Sequence, residues 1–228
     1  MINSTLQVFW IVIPASGIGS RMQADIPKQY LKINNQSILE ITLNTMAKLK
    51  PAGIVTAISS EDRIWPTLTF DFKVQQCLGG EERVNSVLNA LKHIQLQDQN
   101  NPWVLVHDAA RPCVDVNDIH RLIEFCQTNN QGGILANKVV DTLKQHINGM
   151  TQTIDRRDFW QAQTPQCFRL NELLTAIETG IAKHALITDE ASAMELCGHP
   201  VGLVESKRSN IKITQPEDLV LAEFYLTH

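Results

Sequence analysis

Residues 8–30 read VFWIVIPASGIGSRMQADIPKQY. The run Val8–Ala15 is continuously apolar, the pattern of a strand buried on both faces. Gly17 and Gly19 follow it, then Arg21 and Lys28. Two common phosphate-binding turns begin in this way, and neither fits. The dinucleotide fingerprint G-x-G-x-x-G needs a third small residue for close helix–strand packing, and Met22 stands there. A P-loop needs glycine directly before its lysine, and Pro27 precedes Lys28. What remains is a glycine turn at a strand end with two cations beyond it. Backbone N–H groups of such a turn can cradle phosphate oxygens, and fixed cations suit charge developing on a phosphoryl group. A tight turn carrying two solvated basic side chains accounts for the stretch equally well.

Beyond it, strands and helices alternate. Ser37–Leu49 carries Ile38, Ile41, Thr45, Met46 and Leu49 at helical spacing, with Ser37 and Glu40 as a capping box. Gly53–Ser60, Lys73–Leu78 and Trp103–Ala110 read as strands, and Arg83–Ile94 and Asp118–Cys126 as helices. This alternation implies an α/β fold with a mainly parallel sheet. Residues 132–164 break the rhythm with two β-like runs around Asn148–Gly149, a long hairpin. The C-terminal segment reads as a strand, a short strand in NIKIT (210–214), and a helix capped by Thr214 with Glu217, Pro216 lying in its first turn. Without repeats, linkers or low-complexity segments, residues 1–228 form one domain with an arm at about 137–158.

Composition narrows the function classes. The chain has 228 residues, enough for a core without staples, and a formal charge of −4, which argues against sequence-independent nucleic-acid binding. Five scattered cysteines without a C-x-x-C point to reduced thiols rather than a disulfide framework or structural zinc. Neither a signal peptide nor a run of ~20 apolar residues is visible, so a cytoplasmic protein without membrane attachment is expected.

HDAARP (107–112) follows a buried strand, placing Asp108 and Arg111 at a carboxyl end, where open α/β sheets bind ligands. The carboxylate can hold Mg²⁺ or a ligand hydroxyl, and the arginine can clamp a phosphate. A surface Asp–Arg pair is the plain alternative.

PASGIGSRM (14–22), PKQY (27–30), GGEERVNSV (79–87), HDAARP, TPQ (164–166), TDEAS (188–192) and NIKIT, in this order, closely resemble the 2-C-methyl-D-erythritol 4-phosphate cytidylyltransferases of non-mevalonate isoprenoid synthesis. The resemblance spans Ile11 to Leu226. It implies a Rossmann-like nucleotidyltransferase fold with a protruding β-hairpin arm, and a reaction of CTP with methylerythritol phosphate to give the CDP-alcohol and pyrophosphate, with Mg²⁺. Carried over by motif, Ala15, Ser16, Gly17 and Gly19 face the nucleotide. Gly80, Glu81 and the Ser86 hydroxyl read cytosine, and Arg21 and Lys28 meet the triphosphate. Asp108, Arg111, Thr142, Arg156, Thr164 and Lys212 serve the second substrate, Arg156 and Lys212 gripping its phosphate as catalytic cations beside Arg21 and Lys28. Asp108 is also the expected metal contact. The arm resembles one that carries Thr142 and Arg156 to a partner's site in a homodimer. Ser16 stands where the family more often has alanine, and Glu81 where it has aspartate. His107 and His184 have no task in this chemistry. The remaining alternatives are a ribitol 5-phosphate cytidylyltransferase and a non-catalytic nucleotide-binding module.

Overall fold

Phe9, Ile11 and Ile13 pack into one hydrophobic cluster and Trp10 and Val12 into another on the opposite face. That is the physical meaning of the unbroken apolar run. A strand with helices on both sides has no solvent face to mark with polar residues.

A computed structural model describes residues 8–17 and 26–228. The strands are β1 (Phe9–Pro14), β2 (Lys32–Ile33), β3 (Gln36–Ser37), β4 (Gly53–Ile58), β5 (Val74–Leu78), β6 (Trp103–Val106), β7 (Gly133–Lys138), β8 (Leu143–Ile147), β9 (Met150–Ile154), β10 (Trp160–Arg169) and β11 (Gly202–Glu205). The helices are α1 (Ile38–Ala47), α2 (Arg83–Gln95), α3 (Val116–Asn129), α4 (Leu170–Ala182), α5 (Glu190–Leu196) and α6 (Pro216–Thr227). Seven strands form one sheet in the order β11-β7-β10-β6-β1-β4-β5. All neighbours in it pair in parallel except β10, which is antiparallel to both β6 and β7. The expected mainly parallel sheet is therefore present. The chain runs outward from β1 to β4 and β5, then returns to place β6 on the other side of β1. The carboxyl ends of β1 and β6 thus flank a topological switch point, the usual crevice for a ligand.

α1 and α3 supply one cluster through Leu39, Leu43, Ile119 and Leu122. α2, α4 and α5 supply the other through Val87, Leu91, Leu173, Ile177 and Met194. A third cluster joins Ile33, Ile38, Ala110, Cys113 and Ile213 to Ala222 of α6.

Several sequence readings shift. The capping box of Ser37 and Glu40 forms as expected, but the buried face of α1 runs through Leu39, Thr42, Leu43 and Met46 rather than Ile41 and Thr45. Thr42 lies there because its hydroxyl donates to the Ala109 carbonyl at 2.9 Å. Residues 211–214 pair with no strand, so the expected short strand in NIKIT is not formed. α6 starts one residue later than expected. Its cap is Gln215 with Asp218, not Thr214 with Glu217, and the Asp218 carboxylate accepts from the Thr214 and Gln215 amides and the Thr214 hydroxyl. α4 and α5 are unanticipated as helices: α4 occupies residues that carry no sequence reading, and α5 begins inside the motif TDEAS.

The long hairpin resolves into two parts. β7 and β10 belong to the main sheet, and only β8 and β9 pair by themselves, through Asn148 (φ 51°) and Gly149 (φ 77°). Two consecutive positive φ values are what a two-residue type I′ loop requires, hence Asn-Gly. Most residues of β8 and β9 are exposed.

Candidate active site

Two clefts open at the switch point, and Arg83, Asp108 and Lys212 line both. The first is bounded by Pro14–Gly17, Lys28, Gln29, Glu81, Glu82, Ala109 and Ala110. The second adds Arg111, Gln163, Thr164, Gln166, Thr188 and Asp189.

The first cleft is built on braced backbone. Ala15 donates its N–H to the Ala57 carbonyl at 2.9 Å and accepts from Gln29 Nε2 at 2.8 Å, extending β1 beyond its last strand residue. Ser86, fully buried in the first turn of α2, donates to the Glu82 carbonyl and accepts from the Gly80 N–H at 3.0 Å. Its oxygen lies 2.7 Å from the Ser16 hydroxyl. The Ser86 side chain thus ties the turn after β5 to the turn after β1. A Cβ on Gly79 would stand 2.3 Å from the Ser16 Cβ, so only glycine allows the two turns to approach this closely. Lys28 sits in a 3₁₀ turn (Lys28–Tyr30), and its ammonium donates to the Ile213 carbonyl at 3.1 Å. Gly19 and Arg21 lie outside the described residues.

Asp108 is the electrostatic centre. It is almost entirely buried, one oxygen 3.0 Å from Arg83 Nε, the other 2.9 Å from the Lys212 ammonium and 3.5 Å from Arg111 Nε. Burial alone would raise its pKa, but Arg83, Lys212 and Arg111 outweigh that and hold it well below the usual carboxylate range. Arg111 is aimed by a second bond, from Nη1 to the Asn210 carbonyl at 2.7 Å. Burial lowers the Arg111 pKa, with Asp108 opposing the change. Arg83 uses its other two nitrogens on Glu190, at 2.7 and 3.1 Å.

The floor of the second cleft is a relay of neutral groups. The Asp108 N–H donates to Thr164 Oγ1 at 3.0 Å, leaving the Thr164 hydroxyl to donate to His107 Nδ1 at 3.1 Å. His107 Nε2 then donates to the Arg111 carbonyl at 3.0 Å. Burial pushes the His107 pKa down to about 4, so the imidazole is neutral near pH 7. Both of its nitrogens are occupied, and it is a strut, as expected. His184 is exposed at the end of α4.

The structure therefore brings Ala15, Ser16, Gly17, Lys28, Gly80, Glu81, Ser86, Asp108, Arg111, Thr164 and Lys212 to one place. Thr142 and Arg156 line neither cleft. Both are exposed at the base of the β8–β9 hairpin, where Arg156 bonds the Val140 carbonyl. The expected metal contact at Asp108 does not fit, because both its oxygens already face cations. Among the described residues no group of three His, Cys, Asp or Glu side chains stands together to hold a metal. Sequence reasoning missed Arg83, Thr188 and Glu190, although all three lie inside the motifs GGEERVNSV and TDEAS. For Arg83 the available signal was a charged side chain in a glycine-turn motif.

The family model for 2-C-methyl-D-erythritol 4-phosphate cytidylyltransferase matches residues 9–228. The chain is 47% identical over 229 residues to the enzyme of that name from Vibrio atlanticus, covering 99% of this chain and 98% of that one. Over 219 residues it is 48% identical to the Haemophilus influenzae protein, covering 95% of each. The crystal structure of the Francisella tularensis enzyme superposes with a TM-score of 0.82 at 40% identity, covering 96% of this chain and 99% of that one. On its sequence, its fold and the motifs gathered in its clefts, the chain belongs to the 2-C-methyl-D-erythritol 4-phosphate cytidylyltransferase family.

Proposed function

We infer that the first cleft takes CTP, that the second takes 2-C-methyl-D-erythritol 4-phosphate, and that the cytidylyl group passes between them at Lys212. The observation that carries this is the shared wall: Arg83, Asp108 and Lys212 line both clefts, so both ligands meet the same charges.

The nucleophile is an oxygen of the acceptor's phosphate monoester. Its second pKa is about 6, so it is largely ionised at neutral pH and no general base is needed. That oxygen forms a bond to the α-phosphorus of CTP, and the bond from that phosphorus to the bridging oxygen breaks. Pyrophosphate leaves with the electron pair. The barrier is repulsion between two anions, which fixed cations reduce. Lys28 and Arg21 are assigned to the triphosphate, Lys212 and Arg111 to the acceptor phosphate, and Asp108 to an acceptor hydroxyl. Mg²⁺ would be held by the nucleotide phosphates, since Asp108 is already engaged by cations, and would offset their negative charge.

Thr142 and Arg156 are assigned to the cleft of a second subunit. An exposed two-stranded hairpin is marginal without a partner, which supports a homodimer through this arm. The described residues contain no helix long and apolar enough to cross a membrane, and five free cysteines suit a reducing compartment such as the cytoplasm.

The test is pyrophosphate release from purified protein with CTP, Mg²⁺ and methylerythritol phosphate, each omitted in turn. Release that requires all three is expected. Release with ribitol 5-phosphate but not methylerythritol phosphate would overturn the substrate assignment.

A further inference from the structure

Glu190 has no part in the reaction above, yet its carboxylate is 2% exposed and takes both terminal nitrogens of Arg83. Arg83 presents its remaining nitrogen to Asp108. We propose that Arg83, clamped by Glu190, is the positioning residue that fixes the Asp108 carboxylate between the two clefts, and that Glu190 acts only through Arg83. This rests on the acceptor cleft assigned above.

The clamp is anchored to the sheet. Glu190 is the first residue of α5, and Gln166 of β10 secures that helix end, donating to Asp189 at 2.8 Å and accepting from the Ala191 N–H at 2.8 Å. A guanidinium held by two parallel bonds to one carboxylate has a fixed plane, which a lysine cannot reproduce. The third nitrogen of that plane is then aimed at one Asp108 oxygen, leaving the other for Lys212 and Arg111. Released from Arg83, Asp108 could rotate to take Lys212 with both oxygens, drawing the ammonium away from an incoming phosphate. The charge count matters as well. Within the ion-paired cluster alone, Arg83, Arg111 and Lys212 against Asp108 and Glu190 leave one surplus positive charge for the acceptor's phosphate, while the Asp189 carboxylate of the same cleft is held by Gln166 and the Ser192 N–H instead of by these cations. Without Glu190 the surplus doubles, but its location is no longer set.

Steady-state pyrophosphate release, varying CTP and methylerythritol phosphate separately, is compared for wild type, Glu190→Gln, Glu190→Asp, Arg83→Gln and the variant carrying both Gln substitutions. Glu190→Gln is expected to lower kcat/KM for the acceptor by about a hundredfold, the scale of a misplaced catalytic constellation, with the acceptor KM raised. The KM for CTP should stay within about twofold, which also reports an intact fold. Glu190→Asp keeps the charge and should recover part of the loss. In the Arg83→Gln background, Glu190→Gln should cost little more, because the two act as a unit. Multiplying losses in that double variant, an unchanged Glu190→Gln enzyme, or a fall in kcat alone that Glu190→Asp does not relieve would each overturn the proposal. Failure of the substrate assignment would appear separately, as a wild-type enzyme silent with methylerythritol phosphate.

Discussion

Lowering the pH should destabilise this protein through His107 before it strips the charge from Asp108. The imidazole is fully buried, and its nitrogens are committed in one pattern only: Nδ1 accepts from Thr164 and Nε2 donates to the Arg111 carbonyl. A second ring proton would point at a hydroxyl that already accepts from the Asp108 N–H, beside the Arg111 guanidinium. The neighbouring Asp108 carboxylate favours protonation, but burial prevails and the pKa falls from 6.5 to about 4. The unfolded chain therefore binds a proton that the native state refuses between those values. Stability from this residue is complete above about pH 6.5 and is lost as pH falls towards 4. The gap of about 2.5 pH units, at about 1.4 kcal/mol each, is worth about 3–4 kcal/mol, roughly three quarters of it lost by pH ~4.5. Against a typical total of roughly 5–15 kcal/mol this is large. Urea unfolding followed by tryptophan fluorescence, at one protein concentration and at steps from about pH 4.5 to 7.5, measures it for wild type and His107→Gln. Carboxylates titrate in both proteins and cancel in the difference. Wild type should lose stability more steeply than the variant by about 1 kcal/mol per pH unit around pH 5. Parallel slopes would refute the assignment of a buried neutral imidazole. Asp108 behaves differently: its contribution is intact across this range and is lost only below the ordinary carboxylate pKa of about 4, where the unfolded chain takes up a proton that the native carboxylate still refuses.

Other perturbations address the clefts and the arm. Gly79→Ala should raise the KM for CTP and cost about 1–3 kcal/mol, because its Cβ would stand 2.3 Å from Ser16; an unaffected KM in steady-state assays would separate that turn from the nucleotide. Lys28→Ala should lower kcat by about 10²–10³, the scale of a lost donor to developing charge, and a rise in KM alone would show that Lys28 only holds the ground state. Excising residues 143–154 and closing the chain with a short turn should convert a dimer to a monomer by light scattering. An unchanged mass would place the dimer contact elsewhere.

How far these features could be read from the sequence follows from the range of the forces involved. β1 was legible because burial on both faces leaves an unbroken apolar run, and α2 because Val87, Leu91 and Ile94 repeat at helical spacing. The Asn148–Gly149 loop was legible because positive φ selects those residues locally. NIKIT misled for an instructive reason. Its alternation is real: Ile213 packs against Ala110, Cys113 and Ala222, while Lys212 turns to Asp108. The backbone makes one bond of the expected kind, from the Ile213 N–H to the Ala110 carbonyl at 2.9 Å, and no ladder continues it. Alternation records which side is buried, and says nothing about whether a neighbouring strand exists to pair with. The cap of α6 failed similarly, since Thr214–Glu217 and Gln215–Asp218 offer the same spacing and only the reach of Asp218 to three donors decides.

The charge lattice is of another kind. Arg83 and Glu190 lie 107 positions apart, and no local preference links them. They meet because β6 returns to the far side of β1, which sets the turn after β6 beside the start of α2, while β10 brings α5 against both. Motif reading found most of the groups that line the two clefts, since glycine turns and strand ends mark them in the chain. The groups that aim those residues are placed by the crossover of the sheet. Reading them requires the strand order, which sets Arg83, on the wall the two clefts share, where it pairs with both the Asp108 and Glu190 carboxylates.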